Sequence, residues 1–343
     1  MSNKYRRGIN LGGFLSQCIH TEEHYATFIT KEDLYKIADM GFDHVRIAVD
    51  YNFFEAEDGK FIDEHFAFLD NILVECKKAG LDVMLDLHKA RGYDFNDAGD
   101  AQKNSLFNSE ELQEGYLRLW DKISSEYGKY SDFVAFELLN EVVEDENADA
   151  WNELIKRATK TIRQQAPDSL IVYGGIRWNS VSTVKLLEKP EDDNVMFTFH
   201  FYEPLIFTHQ KAYWVKAMDP NKTIVYPESM EYYFEQSKPL GVQGGIFTDT
   251  KLTQMGADVF EYMIAEAKAA ADEAGVDLYC GEMGVIDLAP TKDTLNWFRD
   301  ADEAYRRNDI GYCVWSYKKM DFGIIDEHYD DIRDELIKIW NNK

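Results

Sequence analysis

The chain has 343 residues, of which 45% are hydrophobic and 29% are charged, a balance typical of a globular protein with a sizeable core. Its 63 acidic and 37 basic residues give a formal net charge of −26, which opposes binding to nucleic acids or to anionic membrane surfaces but does not disfavour neutral ligands. The sequence has no apolar leader and no uncharged apolar run of about 18 residues, so we expect a cytoplasmic protein or one whose leader has been removed.

The predicted elements alternate along the chain between short apolar strands and longer helical segments. The predicted strands are residues 8–11, 44–48, 82–87, 133–139, 169–173, 195–199, 277–280 and 311–315. The helical segments are residues 31–40, 63–79, 110–127, 148–165, 184–187, 257–274, 294–307 and 330–340. Several of the strands are continuous apolar runs, as in parallel strands that are buried on both faces. Eight such repeats predict one (β/α)₈ barrel over residues 1–343, in preference to an open doubly wound sheet.

One connection is much longer than the others. About 50 residues, 203–256, separate the sixth strand from the next helix, and they are rich in aromatic side chains such as Tyr213, Trp214 and Tyr233. A structureless loop of that length is uncommon in a compact domain. We therefore predict an inserted subdomain that borders the active-site cleft; an inert decoration is the alternative.

Polar and aromatic side chains follow almost every predicted strand. In a barrel of this kind, catalysis takes place at the carboxyl ends of the strands. The candidate site residues at those ends are Asn10, Arg46, His88, Asn140, Glu141, Trp178, His200, Tyr202, Glu282 and Trp315. A merely solvated rim would have more Lys, Asp and Ser, so this composition indicates a ligand site.

Two of these residues, Glu141 and Glu282, are the best candidates for acid/base chemistry. Each comes directly after a buried strand, and strands four and seven lie on roughly opposite sides of a barrel mouth. Two opposed carboxyl groups can cleave a glycosidic bond: one protonates the leaving oxygen, and the other attacks the anomeric carbon or activates water. The alternative is a pair of structural ion pairs.

The neighbouring residues suggest how the two carboxyl groups would differ. Tyr202 can donate a hydrogen bond to Glu282, and Arg46 can stabilise the same carboxylate by its charge, so Glu282 is the predicted nucleophile. Glu141, which we expect to lie further from Arg46, can stay protonated and act as the acid.

Three further side chains have predicted supporting roles. Asn140 fits a hydrogen bond to the substrate 2-hydroxyl. Trp315 offers a stacking face to the sugar, or alternatively plugs the barrel. Glu137 has the same strand parity as Glu141, so we expect it to point into the barrel and to pair with Arg46.

The sequence predicts neither a metal nor another cofactor. His20 and His24 are four residues apart, but no carboxylate cluster completes a site around them. The GINLGG stretch near the start lacks the lysine and the spacing of a phosphate-binding loop. Cys280 and Cys313, on neighbouring predicted strands, are expected to be free thiols, with a disulfide as the alternative.

The strand-end motifs occur in the order found in a known family. The stretches GINLGGF, GFDHVRIAVDY, LDLHKARGY, FELLNEV, FHFYEPLIFTHQKAYW, LYCGEMGV and VWSYKKMDFGI cover essentially the whole chain. In these stretches the sequence resembles glycoside hydrolase family 5, and within it the clostridial endoglucanase C type of cellulase.

This resemblance implies a metal-independent retaining endo-β-glucanase with Glu141 as acid/base and Glu282 as nucleophile, whose carboxyl groups lie about 5–5.5 Å apart. It places Arg46, His88, Asn140, His200, Tyr202 and Trp315 around them. The implied partner is β-1,4-glucan or mixed-linkage β-glucan, and we expect the chain to act as a monomer. The same site on β-mannan, xyloglucan or β-1,3-glucan is the alternative, as is a non-catalytic carbohydrate-binding relative.

Two positions depart from the family pattern. Members often have Trp where Phe14 stands and a second His where Lys89 stands. Both positions are expected to border the glycone side of the cleft, which leaves the preferred glucan open.

Overall fold

The computed structural model describes residues 4–245 and 250–341, so residues 246–249 of the predicted insertion lie outside it. The strands are β1 (Arg7–Asn10), β2 (His44–Asp50), β3 (Asp82–Lys89), β4 (Val134–Glu137), β5 (Ile171–Gly174), β6 (Val195–Phe201), β7 (Asp277–Met283) and β8 (Gly311–Val314). Each strand pairs in parallel with the next, and β8 pairs with β1 to close the barrel. The predicted eight-stranded barrel is confirmed.

Helices surround this barrel. They are α1 (Glu22–Thr27), α2 (Lys31–Asp39), α3 (Tyr51–Phe54), α4 (Asp63–Ala79), α5 (Glu110–Tyr127), α6 (Ala148–Gln165), α7 (Leu205–Thr208), α8 (Met230–Ser237), α9 (Ala257–Ala274), α10 (Thr291–Arg307) and α11 (Arg333–Trp340). Shorter 3₁₀ helices lie at Phe95–Asp97, Leu106–Asn108, Gly128–Tyr130, Asp145–Asn147, Val181–Leu186, Lys238–Gly244 and Glu327–Tyr329. The connection after β5, predicted as a short helix, is therefore a single 3₁₀ segment. Within the described ranges, no helix is both long and apolar enough to cross a membrane.

The helix ends follow from local sequence signals. Gly80 and Gly275 end α4 and α9 with φ of 79° and 81°, a left-handed conformation that costs glycine little. Thr30 and Asp33 form a reciprocal capping box at the start of α2, which satisfies two backbone N–H groups. These signals explain why the predicted and observed bounds of α4 and α9 coincide.

The barrel interior changes from apolar to charged towards the carboxyl ends of the strands. Its lower layer is apolar and consists mainly of Met84, Ala135, Val172, Met196, Tyr279 and Cys313. Because strand side chains alternate between faces, the residues two positions on from Met84 and Ala135 also point inward. These are Asp86 and Glu137, both fully buried. A charged layer therefore lies directly beneath the barrel mouth.

The described part of residues 203–256 packs against the outer helices. Tyr226 lies between Phe207 and Phe260 of α9, with ring centroids 5.3 Å and 6.2 Å away. The Tyr226 hydroxyl donates a hydrogen bond of 2.7 Å to Asp300 of α10. The connection thus has a buried aromatic centre of its own that is fixed to the barrel.

Candidate active site

Glu141 and Glu282 face each other across the barrel mouth. Glu282 lies in β7, and Glu141 comes four residues after the end of β4. One carboxyl oxygen of Glu141 lies within 4.8 Å of one oxygen of Glu282. Retaining glycosidases hold their carboxyl groups roughly 5–5.5 Å apart and inverting ones roughly 6.5–9.5 Å apart. The pair therefore has the spacing of the retaining class.

A local irregularity in β7 turns Glu282 into the barrel. Tyr279 points inward, so simple alternation would direct Gly281 inward and Glu282 outward. The register between β7 and β8 shifts between Cys280 and Met283, as in a β-bulge, which can redirect a side chain. A Cβ on Gly281 would lie 2.9 Å from Thr198 Oγ1 and would crowd the site, so a glycine is needed there.

Two donors hold the Glu282 carboxylate. Arg46 Nη1 donates to Oε1 at 2.8 Å, and the Tyr202 hydroxyl donates to Oε2 at 2.9 Å. Both contacts favour the ionised form of Glu282, because they are stronger with a charged acceptor.

Arg46 is fully buried and is held in place by several partners. Its Nε and Nη2 donate to the two oxygens of Glu137 at 2.7 Å and 2.9 Å. Nη2 also donates to Asn140 Oδ1 at 2.9 Å and lies 3.1 Å from Asp86 Oδ2. Nη1 donates to Asn10 Oδ1 at 2.9 Å. With its guanidinium fixed on several sides, Arg46 presents its remaining N–H direction to Glu282.

Glu141 has a different neighbour. Its Oε1 shares a hydrogen bond of 2.7 Å with Nδ1 of His200. Burial, followed by the charge of Arg46, lowers the pKa of His200 well below its usual range, so this imidazole is neutral. Glu141 thus lacks the cationic partner that Glu282 has.

The pKa values of the two carboxyl groups reflect this asymmetry. Burial raises the pKa of both. The charge of Glu282 raises the pKa of Glu141 further, to well above its usual value, whereas Arg46 and then Tyr202 oppose the effect of burial at Glu282. The pair therefore holds its proton on Glu141 and its charge on Glu282.

His88 and Trp315 form one wall of the site. Their rings are parallel, 5.8 Å apart with an interplanar angle of 5°. His88 Nδ1 donates to Asp86 at 2.6 Å, and its Nε2 lies 3.3 Å from Gln17 Nε2. Burial lowers the pKa of His88 to about 4, so the ring is neutral and can accept the Gln17 hydrogen bond.

The remaining candidates differ in their surroundings. Asn10 donates to the carbonyl oxygens of Gly281 and Val314 and is fully buried, so its contacts support the site from below. Asn140 Nδ2 is buried and has no protein partner among the described residues, which leaves it free to donate to a ligand. Trp178 is partly exposed and has a φ of 56°, next to the stretch that carries Glu141.

Neither the cysteines nor the pair His20 and His24 belongs to the cluster formed by Glu141, His200 and Glu282. Cys280 and Cys313 are free, so the alternative of a disulfide is wrong. In the described part of the chain, the one group of His, Cys, Asp and Glu close enough to ligate an ion is Glu141, His200 and Glu282. His20 and His24 therefore form no such group.

Three site residues were not found from the sequence. Asp86 lies two positions before His88 on the same face of β3, so strand parity is the signal that could have found it. Gln17 and Tyr93 lie in loops, where no periodic pattern marks a residue; Gln17 contacts His88, and the Tyr93 hydroxyl contacts the backbone of Glu141.

Comparison with known proteins identifies the family. A family model described as cellulase (glycosyl hydrolase family 5) matches residues 3–321. The chain belongs to glycoside hydrolase family 5. It is therefore a glycoside hydrolase of the cellulase type.

Curated relatives of this family 5 chain match it over most of its length. It is 35% identical over 341 residues to Endoglucanase C of Acetivibrio thermocellus, an alignment that covers 98% of this chain and 97% of the relative. It is 36% identical over 306 residues to Cellodextrinase A of Ruminococcus flavefaciens, with coverage of 89% and 83%.

Solved structures have the same fold. The cellulose synthase subunit Z of Clostridioides difficile superposes with a TM-score of 0.77 at 24% identity and covers 98% of this chain and 100% of its own. An endoglucanase of the hyperthermophilic Thermotoga maritima gives a TM-score of 0.74 at 25% identity, with coverage of 98% and 97%.

The two departures from the family 5 pattern have different positions in the structure. Phe14 is fully buried and packs 6.3 Å from Phe68, so the expectation that it borders the sugar is wrong. Burial against the outer helices explains the apolar residue there. Lys89 is partly exposed and forms an ion pair of 2.6 Å with Asp94 beside the site.

Proposed function

We propose that this chain is a retaining endo-β-1,4-glucanase, with Glu282 as the nucleophile and Glu141 as the general acid/base. The observation that carries the proposal is the pair of facing carboxyl groups, with oxygens within 4.8 Å and unequal partners. Arg46 and Tyr202 hold the charge on Glu282, while burial and the neighbouring charge keep the proton on Glu141.

The first half of the reaction uses both groups at once. The Glu282 carboxylate attacks the anomeric carbon as Glu141 gives its proton to the departing glycosidic oxygen. The C–O bond to the leaving sugar breaks, and an ester bond forms between Glu282 and the glycosyl unit. Glu141 is left as a carboxylate. Glu282 does not repel its negative charge, because Glu282 is now an uncharged ester.

The second half releases the product. Glu141 takes a proton from a water molecule, whose oxygen attacks the anomeric carbon and displaces Glu282 as a carboxylate. Two displacements at one carbon return the original β configuration. Asn140 Nδ2, for which the described residues provide no partner, is suited to hydrogen-bond the 2-hydroxyl in both steps.

Family membership and the names of the curated relatives support a β-1,4-glucan substrate. One relative is named an endoglucanase and the other a cellodextrinase, and each is covered over more than two thirds of its length. Trp315, held parallel to the buried His88, supplies an aromatic ring of the kind on which a pyranose packs.

The insertion supports an endo mode of action. From Tyr202, aromatic rings continue through His209, at 4.8 Å, and Trp214, at 6.2 Å, to Tyr213, at 4.9 Å. Tyr213 is 84% exposed and Trp214 43% exposed. We propose that residues 203–256 form a subdomain that borders the cleft and binds sugar units beyond the point of cleavage.

We also propose that the chain acts as a monomer and binds neither nucleic acid nor anionic membranes. The net charge of −26 supports the second part, because it repels both polyanions. Size-exclusion chromatography with light scattering at several protein concentrations tests the first part, and a mass that rises towards a dimer would contradict it.

The decisive experiment measures product stereochemistry and identity on a panel of polysaccharides. We expect NMR of early products to show the β anomer first, and cellulose derivatives to be cleaved internally. Initial release of the α anomer would refute the nucleophile assignment. Preferred hydrolysis of β-mannan, xyloglucan or β-1,3-glucan would instead change only the substrate.

Variants separate the chemistry from the fold. Glu282→Gln should lose essentially all turnover while it remains folded, as circular dichroism and a cooperative thermal melt would show. Glu55→Gln is a matched control, because Glu55 is a buried carboxylate paired with Arg118 at 3.0 Å outside the site, and turnover should persist. Full activity in Glu282→Gln would contradict the proposal.

A further inference from the structure

The backbone at Glu141 has an unusual conformation. Its φ is 33°, a value that residues other than glycine rarely adopt. A backbone in this conformation persists only when its surroundings stabilise it. Such a backbone fixes the direction in which the carboxyl group leaves the chain. The groups that hold Glu141 in this conformation therefore also determine where its proton is delivered.

The Tyr93 hydroxyl is one of these groups. It donates to the carbonyl oxygen of Glu141 at 3.1 Å and accepts from the backbone N–H of Val143 at 2.8 Å. One hydroxyl thus connects to two positions of the same turn and uses both its donor and its acceptor capacity. Tyr93 is 2% exposed, and burial raises the pKa of its hydroxyl, so it is a protonated donor at neutral pH.

A tight turn after β3 places Tyr93 there. Ala90 and Tyr93 exchange backbone hydrogen bonds of 3.2 Å and 2.9 Å across the turn. Gly92 within it has a φ of 75°, and a Cβ there would lie 2.5 Å from Leu112 Cδ1. The Tyr93 ring then packs on Phe107, with centroids 5.4 Å apart. The turn and the contact with Phe107 therefore fix the position of the Tyr93 hydroxyl beside Glu141.

The opposite side of the same turn is held by other backbone groups. Val142 and Val143 accept hydrogen bonds of 3.1 Å from the N–H groups of Trp178 and Arg177. These contacts fix the residues after Glu141, whereas Tyr93 is the donor that the described residues provide to the Glu141 carbonyl itself. Loss of the Tyr93 hydroxyl would leave that carbonyl and the Val143 N–H without their partner in a buried place.

We propose that Tyr93 is a positioning residue for proton transfer by Glu141, an inference that rests on the proposed acid/base role of Glu141. Among the described residues, the buried Tyr93 hydroxyl bonds to the backbone of Glu141 and Val143 and not to the Glu282 carboxylate. Its removal therefore affects steps in which Glu141 moves a proton and leaves nucleophilic attack by Glu282 intact.

Two substrates separate these steps. The kcat/KM for cellotetraose depends on protonation of a poorly leaving sugar hydroxyl, whereas that for 2,4-dinitrophenyl β-cellobioside does not, because dinitrophenolate departs unprotonated. A positioned general acid contributes roughly 10²–10⁴-fold. For Tyr93→Phe we expect kcat/KM to fall about 10-fold or more on cellotetraose and to stay within about threefold on the dinitrophenyl substrate. Equal losses on both substrates, or no loss on either, would overturn the inference.

Tyr116→Phe is the matched control. The Tyr116 hydroxyl is also buried and donates to a backbone carbonyl, that of Leu138, at 2.8 Å, three residues before Glu141. We expect this variant to lower the melting temperature and to leave the ratio of the two kcat/KM values unchanged. A changed ratio in Tyr116→Phe would mean that general loosening of this segment accounts for the effect, and would also overturn the inference.

Glu141→Ala distinguishes the two proposals. It should lose turnover of cellotetraose while keeping much of its kcat/KM on the dinitrophenyl substrate. If Glu141→Ala lowers kcat/KM equally on both substrates, the proposed acid/base role of Glu141 is wrong, and so is the role of Tyr93 that rests on it. If Glu141→Ala discriminates and Tyr93→Phe does not, only the inference about Tyr93 is wrong. Should Tyr93→Phe fail to fold, Phe107→Leu loosens the same ring and is measured in the same way.

Discussion

Replacing Glu137 with Gln would remove one half of the contact that orients Arg46 beneath the active site. Glu137 is fully buried and accepts hydrogen bonds of 2.7 Å and 2.9 Å from the guanidinium. In Glu137→Gln one of these oxygens becomes an NH₂ group, which meets an N–H donor of Arg46 instead of accepting from it. Arg46 must then move or lose a partner, and its contact with Glu282 depends on the same guanidinium.

The magnitude of the effect follows from two contacts. Breaking a buried ion pair costs roughly 3–5 kcal/mol, and because Arg46 retains Asp86 and Glu282 the lower figure applies. With an unfolding entropy of roughly 2.1 cal/mol/K per residue, a loss of about 3 kcal/mol lowers the melting temperature of this chain by about 4 °C. Glu137→Gln also removes a negative charge that shares Arg46 with Glu282, so the charge of Arg46 acts more fully on Glu282 and lowers its pKa. A charge a few ångströms from a buried carboxyl group changes its pKa by about one unit or more.

The assay is the dependence of kcat/KM on pH, measured with cellotetraose beside thermal melts. The Glu282 carboxylate must be ionised to attack, so the acidic limb should move to lower pH in Glu137→Gln. Asp302→Asn is the control, because Asp302 is a buried carboxylate bonded to Arg306 at 2.8 Å and to Tyr312 at 2.8 Å, at the other end of the barrel. It should lower the melting temperature without moving the limb. If Glu137→Gln lowers the melting temperature but leaves the acidic limb of the kcat/KM profile at the same pH, the role given to Arg46 is refuted.

Three other changes have defined outcomes. Tyr202→Phe removes the donor to Glu282 Oε2 and so raises the pKa of Glu282; the acidic limb of kcat/KM against pH should move to higher pH, with a loss of about tenfold at its acidic end. Burial raises the pKa of Glu203 to about 7, so the native state binds a proton that the unfolded chain releases, and stability falls as pH rises from about 4.5 to 7. Glu203→Gln should therefore recover up to about 3 kcal/mol at pH 8 and narrow the difference between melting temperatures at pH 5 and pH 8; an unchanged difference would contradict this. Trp214→Ala should lower kcat/KM on cellohexaose about tenfold and leave dinitrophenyl β-cellobioside unaffected, since stacking of one ring on a sugar contributes on the order of 1 kcal/mol or more.

Much of the barrel could be predicted because its signals are local. Gly80 and Gly275 mark helix ends, and the apolar runs of the strands are short and regularly spaced. Strand parity also placed Glu137 inside the barrel, where it pairs with Arg46. Strand parity along β3 likewise places Asp86 on the same inward face as His88.

Other features depend on contacts that the sequence does not display. Parity counted from Tyr279 directs Glu282 away from the barrel, and only the register shift beside Gly281 turns it inward. Tyr93 reaches Glu141 because a turn after β3 returns the chain to the end of β4, across 48 residues of sequence. Phe14 stands where family members often have Trp, but its burial depends on Phe68 and other residues that are distant in sequence.

The difference between the two proposed catalytic carboxyl groups, Glu141 and Glu282, arises from the supply of positive charge. Within the described charged layer, Arg46 contacts Asp86, Glu137 and Glu282, so one cation serves three carboxyl groups. A buried carboxylate without a partner is costly, so some of these groups retain protons near neutral pH, and burial raises the pKa of Asp86 to about 7. Glu282 lies 2.8 Å from the guanidinium and can be ionised, whereas Glu141 contacts the neutral His200 and keeps its proton. The proposed division of two identical side chains into acid and nucleophile thus rests on the direction in which a single arginine is held.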